Sequence, residues 1–229
     1  MESKKELIKT IDSLSTDEKK EVLSYLRKYI NIHPIERDWN ISAEVILEAI
    51  NRSSDLTQRG VKGIIAEAAF KFEILEKMKE ITILEFEGNE PYDYKIRDAF
   101  GETRIQVKLQ RKKAGKPMMA NEGYARLSSD KYVVETQKTR GGKDSKTKQD
   151  TRPYRFGEFD ILAVSMQPST NKWNSYMFTV SNWLIKREDN SKLILKFQPV
   201  SKTSNNDWTD DLQECIKRFR KGVKKTINS

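Results

Sequence analysis

The sequence predicts a mixed α/β (α+β) fold, in which helices flank a central mixed β-sheet and a helical hairpin forms the N-terminus. Apolar residues recur at helical spacing through the first third of the chain. After Ile81 they alternate with polar residues, as in strands, and helical spacing returns only near the C-terminus. Helices followed by a block of strands and a closing helix favour one sheet with helices packed against it.

The composition excludes several classes of protein. The chain has 229 residues, of which 36% are hydrophobic, so it is long enough to bury a substantial core. The single cysteine, Cys215, excludes an internal disulfide and a zinc site of several cysteines, and the single histidine, His33, excludes a metal site of several histidines. No stretch reaches the ~20 apolar residues that span a bilayer, and we find no signal-peptide pattern. We therefore expect a cytoplasmic protein without membrane contact.

The N-terminal helices carry apolar residues at helical spacing over residues 3–14 and 16–30. Between them, Ser15 and Glu18 have the spacing of a capping box, which predicts that a new helix begins there. We assign residues 1–31 to a helical hairpin that is a candidate dimerisation element, and residues 40–229 to the main domain.

Two further helices are expected before the sheet, over residues 42–50 and 60–79, with a polar break at 52–58. The apolar residues of the longer helix are predicted to face the core. They are Ile64, Ile65, Ala68, Phe72, Leu75 and Met78.

The strand block begins with residues 81–86 and continues with a hairpin. Residues 92–97 and 103–109 both alternate, and residues 98–102 predict a turn of about four residues between them. The apolar run 159–164 is typical of a strand buried on both faces. The remaining predicted elements are strands 176–180 and 193–197 and a closing helix 207–225, capped by Asp207 or Thr209.

The hairpin carries the most informative residues. Placing Ile96 opposite Ile105 puts the apolar residues of both strands on one face, and the same register sets Asp93 opposite Lys108 on the other. Directly opposed Cβ atoms lie about 4.5–5.5 Å apart, so a carboxylate and a lysine would meet in one site. A cross-strand ion pair of purely structural role is the alternative. If the pair is catalytic, it suits metal-assisted phosphodiester cleavage, because Mg²⁺ binds through one or two carboxylates and substrate phosphate.

At this hairpin the sequence resembles the PD-(D/E)xK nuclease superfamily and, within it, the type II restriction endonucleases. The matching segments are Pro91-Tyr92-Asp93 and Gln106-Val107-Lys108, with 159–164 similar to a later core strand. Glu67, in the preceding helix, resembles a helical glutamate of the family. The resemblance implies a restriction-endonuclease-like domain, Mg²⁺-dependent cleavage of double-stranded DNA, and catalytic roles for Asp93, Gln106, Lys108 and Glu67.

The sequence departs from the family pattern at Gln106, where the pattern has Asp or Glu. An amide oxygen can bind a metal ion but supplies no charge, so a second carboxylate becomes more necessary. We expect Asp93, Glu67 and Gln106 to form the metal site, with Glu73, Glu76 and Glu85 as alternatives to Glu67. Asp160, inside an apolar run, is interpreted as a structural carboxylate.

The charge of +9 is concentrated in two zones. Residues 111–155 hold thirteen Lys or Arg against five Asp or Glu, and residues 212–229 hold six against one. We expect the first zone to be a partly ordered loop that binds DNA beside the site. Its candidate DNA-binding residues are Lys112, Lys113, Lys116, Arg126, Lys138, Arg140, Lys143, Lys146 and Arg152.

The function predicted from the sequence is sequence-specific cleavage of double-stranded DNA by a type II restriction enzyme from a bacterium or archaeon. Symmetric cleavage of a duplex needs two active sites, so a homodimer is expected. Two alternatives remain at this level: a basic nucleic-acid-binding protein without catalysis, and a repair or mobile-element nuclease with the same site.

Overall fold

A computed structural model describes residues 2–27, 29–30, 33–88, 90–138, 142 and 151–229. The chain divides into two compact units, Met1–Gln58 and Arg59–Ser229. The second unit contains the sheet and the hydrophobic core. Residues 40–58, which the sequence assigned to the main domain, fall in the first unit. Among the described residues, no helix is both long and apolar enough to cross a membrane.

The helices begin and end as follows: α1 Glu2–Ser13, α2 Thr16–Arg27, α3 Pro34–Asp38, α4 Ala43–Arg52, α5 Asp55–Glu73, α6 Ala120–Gly123, α7 Gln167–Thr170 and α8 Leu212–Arg220. The strands are β1 Thr82–Leu84, β2 Tyr94–Asp98, β3 Gly101–Leu109, β4 Lys112–Lys113, β5 Lys116–Pro117, β6 Tyr132–Glu135, β7 Ile161–Ser165, β8 Tyr176–Val180 and β9 Phe197–Val200.

The predicted fold class is confirmed: within the described residues, five strands form a mixed central sheet in the order β1-β2-β3-β7-β8. β3 and β7 are parallel, and the other neighbours are antiparallel. All five residues of β7 are buried, as the apolar run predicted. Helices flank the sheet: Phe70 of α5 packs against Tyr94 and Tyr176, and α8 packs on β8 through an apolar face that includes Cys215.

The first unit is helical. Ser15 and Glu18 form the predicted capping box, in which each backbone N–H donates to the other residue's side chain. Between the predicted hairpin and the predicted main domain lies α3, whose N-cap is His33: its Nδ1 accepts a hydrogen bond from the Ile35 N–H at 3.2 Å.

The predicted hairpin register is wrong by two residues. Tyr94 lies opposite Ile105, and Asp98 lies opposite Gly101, so the turn contains only Ala99 and Phe100. A shift of two residues returns every side chain to its original face, so the predicted separation of apolar and polar faces holds. The alternating pattern alone could not distinguish the two registers.

The buried face of α5 also differs from the prediction. Ala66 and Phe70 are fully buried, whereas Ile64 and Phe72 are 64% and 58% exposed. The helix begins at Asp55, inside the predicted polar break, and ends at Glu73. A short 3₁₀ turn, Leu75–Lys77, replaces its predicted last turn.

The basic segment is more ordered than predicted up to residue 138. Residues 112–117 form the small hairpin β4–β5, and α6 follows. β6 pairs with β9 in a separate antiparallel sheet. The last strand lies at 197–200 and not at the predicted 193–197. The closing helix is shorter than predicted. Its cap is Asp211, whose carboxylate accepts hydrogen bonds from the N–H groups of Gln213 and Glu214, and neither Asp207 nor Thr209 caps it.

Candidate active site

Asp93 lies one residue before β2 and is held against β3 by three hydrogen bonds. Its N–H donates to the Ile105 carbonyl at 3.0 Å, which extends the hairpin by one residue. Its Oδ2 accepts from the Val107 N–H at 2.7 Å and from Gln106 Nε2 at 2.5 Å. The carboxylate is therefore fixed beside the centre of β3, and it is not directly opposite Lys108 as predicted.

Gln106 lies on β3 with only 2% of its surface exposed. Besides donating to Asp93, its Nε2 donates to the Val107 carbonyl at 3.1 Å. An amide N–H can serve an adjacent carboxylate in this way, whereas an ionised Glu at the same position has no proton to donate. Gln106 therefore orients the carboxylate of Asp93 through the hydrogen bond that it donates.

Glu67 is brought to the site by the docking of α5 on the sheet. The hydroxyl of Tyr94 donates to the Glu67 carbonyl, and that of Tyr176 donates to the Ala66 carbonyl, both at 2.8 Å. These two contacts fix the turn of α5 that carries Glu67. Burial, followed by the negative charge of Asp93, raises the pKa of Glu67 to about 7, while Lys108 acts in the opposite direction. Glu67 and Asp93 therefore lie close enough for their charges to interact.

Lys108 is half-buried and extends from the same face of β3 as Gln106. Burial lowers the pKa of its amine, and the charges of Asp93, Glu67 and Glu135 oppose that effect. The pKa of Asp93 is raised by burial and lowered by Lys108. The structure therefore brings Glu67, Asp93 and Lys108 into one electrostatic cluster despite the error in register.

Tyr154 belongs to the same cluster, although sequence reasoning missed it. Its ring is 4% exposed, and Nζ of Lys108 and Nζ of Lys138 each lie 5.4 Å from the ring centroid. Burial and the nearby carboxylates, Asp93 among them, raise the pKa of the Tyr154 hydroxyl. No periodic pattern surrounds Tyr154 in the sequence, so no signal linked it to the hairpin.

Asp160 has the structural role that the sequence suggested. Its carboxylate accepts hydrogen bonds from the backbone N–H, Nε and Nη2 of Arg104, at 2.8 to 3.1 Å. This bidentate ion pair joins β3 to the start of β7.

The candidate DNA-binding residues lie in different surroundings. Lys112, Lys113 and Lys116 are exposed on the β4–β5 hairpin, with Lys113 3.4 Å from Glu122, and Arg152 is exposed. Arg126 forms an ion pair with Glu188, and Lys138 forms one with Glu158 at 2.7 Å. Arg140, Lys143 and Lys146 lie outside the described residues. Several of these cations are thus already neutralised within the chain.

The metal-binding capacity of the site is modest. In the described part of the chain, no three His, Cys, Asp or Glu side chains are grouped so that they could hold a metal ion. Glu67 and Asp93 provide two carboxylates whose mutual repulsion a cation would relieve. Mg²⁺ keeps several waters and needs only one or two protein carboxylates, so the pair fits this ion.

Comparison with known proteins gives little further information. No protein-family model matches the chain, and no curated protein matches it. Among solved structures, the chain is similar to a bacterial homing endonuclease, I-Ssp6803I, at 19% sequence identity and a TM-score of 0.37. The match covers 71% of this chain and 94% of that protein.

Proposed function

We propose that the protein is a Mg²⁺-dependent endonuclease that cleaves double-stranded DNA at specific sequences, as type II restriction enzymes do. The observation that carries the proposal is the cluster of Glu67, Asp93 and Lys108. One carboxylate is close enough to raise the pKa of the other, and a half-buried lysine interacts with both. A purely structural ion pair would need one carboxylate and would not leave a second one in repulsion with it.

Asp93 and Glu67 would hold the metal ion. Because Oδ2 of Asp93 accepts two hydrogen bonds, Oδ1 is the oxygen better placed to bind the ion. Gln106 serves the metal indirectly, by fixing the orientation of Asp93. A bound Mg²⁺ supplies a Lewis acid for the phosphoryl oxygen and lowers the pKa of coordinated water.

Lys108 supplies the remaining catalytic charge. Its ammonium group is a compact point charge, suited to orienting a water molecule and to stabilising the negative charge that develops on phosphate oxygens during attack. Partial burial strengthens this effect, because electrostatic interactions are less screened away from bulk water. Tyr154 restricts where the lysine can lie, by contact with its ring face.

The assembly that we propose is a homodimer formed through the helical hairpin. Leu23 and Leu26 of α2 are 45% and 43% exposed, and Leu7 of α1 is 60% exposed. A second copy would cover these side chains and provide the second active site that cleavage of both strands requires. Sedimentation of the purified protein tests this, since a monomer at working concentration contradicts it.

The experiment that tests the function is digestion of plasmid and phage DNA by the purified protein with Mg²⁺. Discrete fragments support a sequence-specific endonuclease. A smear would indicate a nonspecific nuclease, and intact DNA that is retarded in a gel would indicate a binding protein without catalysis. Digestion of DNA from a host that encodes a matching methyltransferase is then compared with digestion of unmethylated DNA. Protection of the methylated DNA supports a restriction role, whereas equal cleavage of both supports repair or mobile-element processing.

A further inference from the structure

The second unit also contains a groove, separate from the catalytic cluster, with a volume of about 700 Å³. Its apolar lining includes Val180 and Leu184, which are buried, and Phe156 and Phe219, which are half-buried. The volume lies within the range of about 300–1,000 Å³ that is typical of ligand-binding clefts.

The walls of the groove are held by hydrogen bonds. Trp183 Nε1 donates to the Val223 carbonyl, and the Ile227 N–H donates to the Trp183 carbonyl, both at 2.7 Å. Gly222 follows α8 with a φ of +64°, a left-handed conformation that glycine adopts readily and that ends the helix. The C-terminal segment is therefore anchored along one side of the groove, and the groove exists before a ligand binds.

The charged residues that line the groove are all basic. Its lining residues include Arg155, Lys186, Lys192, Lys224 and Lys225 and contain no Asp or Glu. Lys225 is paired with Asp207 at 2.9 Å. The other four are exposed, and none of them forms an ion pair with any acidic residue that the structure describes.

This arrangement contrasts with the rest of the segment that the sequence singled out for DNA binding, of which Arg155 is the last residue. There, Lys113, Arg126 and Lys138 each have an acidic partner within the chain. Four basic residues without an acidic partner among the described residues lie at the rim of one groove. Their positive charge favours binding of an anionic ligand.

The apolar lining narrows the class of anion. A ligand that fits must place negative groups at the rim and a flat apolar part against the phenylalanine and aliphatic side chains. Single-stranded nucleic acid has this chemistry, because its bases are available for contact with apolar and aromatic side chains while its phosphates follow a basic groove. In a duplex the bases are stacked and paired, so only the rim would be used.

We propose that this groove binds single-stranded DNA, with phosphates on Arg155, Lys186, Lys192 and Lys224 and bases against the apolar lining. The proposal goes beyond the endonuclease activity, since it uses neither Asp93 nor Lys108. The basic residues that it uses come from separate parts of the sequence, and the C-terminal basic zone contributes Lys224.

The test measures binding of a fluorescent oligothymidylate of about twelve nucleotides to the full-length protein, without metal ions, over a range of salt concentrations. The test variant combines Lys186→Ala, Lys192→Ala and Lys224→Ala.

The control variant combines Lys79→Ala, Lys172→Ala and Lys217→Ala. These three lysines are exposed and do not line the groove, and their substitution removes the same charge. If all three groove lysines contact phosphate, the salt slope should flatten by about 2, and affinity at about 0.1 M salt should fall on the order of 100-fold. The control variant should resemble the wild type.

Competition experiments identify the chemical group that the groove recognises. Inorganic polyphosphate at equal charge should compete less well than the oligonucleotide, because it lacks bases, and thymidine monophosphate should compete weakly. Asp93→Ala should bind the oligonucleotide as the wild type does, so loss of cleavage in that variant leaves this proposal standing. The proposal is overturned if both triple variants bind alike, if polyphosphate competes equally well, or if Asp93→Ala and not the groove variant loses binding.

Discussion

At the scale of single residues, Glu67 is expected to make metal binding at the site depend on pH. A metal ion must displace the proton from each carboxyl group that binds it. Because burial and Asp93 raise the pKa of Glu67 to about 7, protons compete with the metal up to that pH. The same residue that completes the proposed metal site therefore sets its working range.

We predict that Mg²⁺ binding strengthens as pH rises toward about 7 and levels off above it. Glu67→Gln should weaken binding and remove this pH dependence, since the amide does not titrate. Calorimetric titration with Mg²⁺ or Mn²⁺ across that range measures both effects. Equal pH dependence in the variant and the wild type would assign the titration to another group, with Glu73, Glu76 and Glu85 the first to examine.

The same carboxyl group is expected to affect stability in the absence of metal. A pKa raised in the folded state means that Glu67 stabilises the fold most at acid pH, and that this contribution is lost as pH rises through about 7. At about pH 8, Glu67→Gln removes a partly buried charge beside Asp93 and should therefore raise Tm. The expected rise is about 2–4 °C for each kcal/mol by which the free energy of unfolding increases.

At about pH 4, below the usual pKa of 4.5, Glu67 is protonated in both the folded and the unfolded chain, so the two proteins should unfold at nearly the same temperature. Calorimetry with a chelator present makes the comparison. A Tm that falls at both pH values would mean that Glu67 stabilises the fold through contacts other than its charge.

We expect Tyr154 to affect catalysis through Lys108. Its ring face lies 5.4 Å from Nζ of the lysine and restricts where the ammonium group can lie. Tyr154→Phe preserves the ring and should retain most activity, whereas Tyr154→Leu should lower kcat about tenfold or more with a smaller effect on KM. A shifted alkaline limb in the pH–rate profile of the leucine variant would report the changed environment of Lys108. Equal loss in both variants would instead implicate the hydroxyl.

At the scale of secondary-structure elements, the β2–β3 hairpin explains why prediction succeeded in part. The alternating pattern correctly separated Ile96 and Ile105 from Asp93 and Lys108, because a wrong face would expose apolar side chains. It could not fix the register, because a shift of two residues leaves both faces unchanged. The turn decides the register, and a two-residue turn depends on the backbone of Gly101.

Gly101 is therefore predicted to be sensitive to substitution. Its φ is +130°, and a Cβ atom added there would approach the Arg220 guanidinium at 3.6 Å. Gly101→Ala should destabilise the protein by about 1–3 kcal/mol, because the strained backbone is available only to glycine. Gly63→Ala, in α5 with open space around the added Cβ, should stabilise it by about 0.5–1 kcal/mol. Urea unfolding of both variants tests the contrast, and destabilisation of equal size in the two would contradict it.

Helix α5 shows a different limit of sequence reasoning. Its existence and its glutamate were predicted, but its buried face was not, because apolar residues occur on more than one side of the helix. Phe70 is buried and contacts Tyr94 and Tyr176, while Phe72 is exposed. The choice between the faces depends on aromatic partners from distant strands, which local periodicity does not contain.

At the scale of the whole molecule, net charge predicts nucleic-acid binding but does not identify the surface that would bind. The excess in residues 111–155 is partly cancelled by acidic residues outside that segment, namely Glu188 and Glu158, which pair with Arg126 and Lys138. The C-terminal zone, smaller in the count, contributes Lys224 to a groove without carboxylates. Pairing between distant charges can be read only from the folded chain.

We propose that Asp93 and Lys108 belong to a catalytic site for DNA cleavage. The most direct measurement is single-turnover cleavage of plasmid DNA with Mg²⁺ by the wild type, Asp93→Ala and Lys108→Ala, with gel-shift binding measured in parallel. Glu87→Ala and Lys172→Ala, which alter exposed residues of the same charges outside the candidate site and the candidate DNA-binding residues, are the controls. We predict that both site variants lose about 100–1,000-fold or more in rate while keeping most of their DNA affinity, and that the controls cleave normally. Cleavage at the wild-type rate by either site variant would contradict the account.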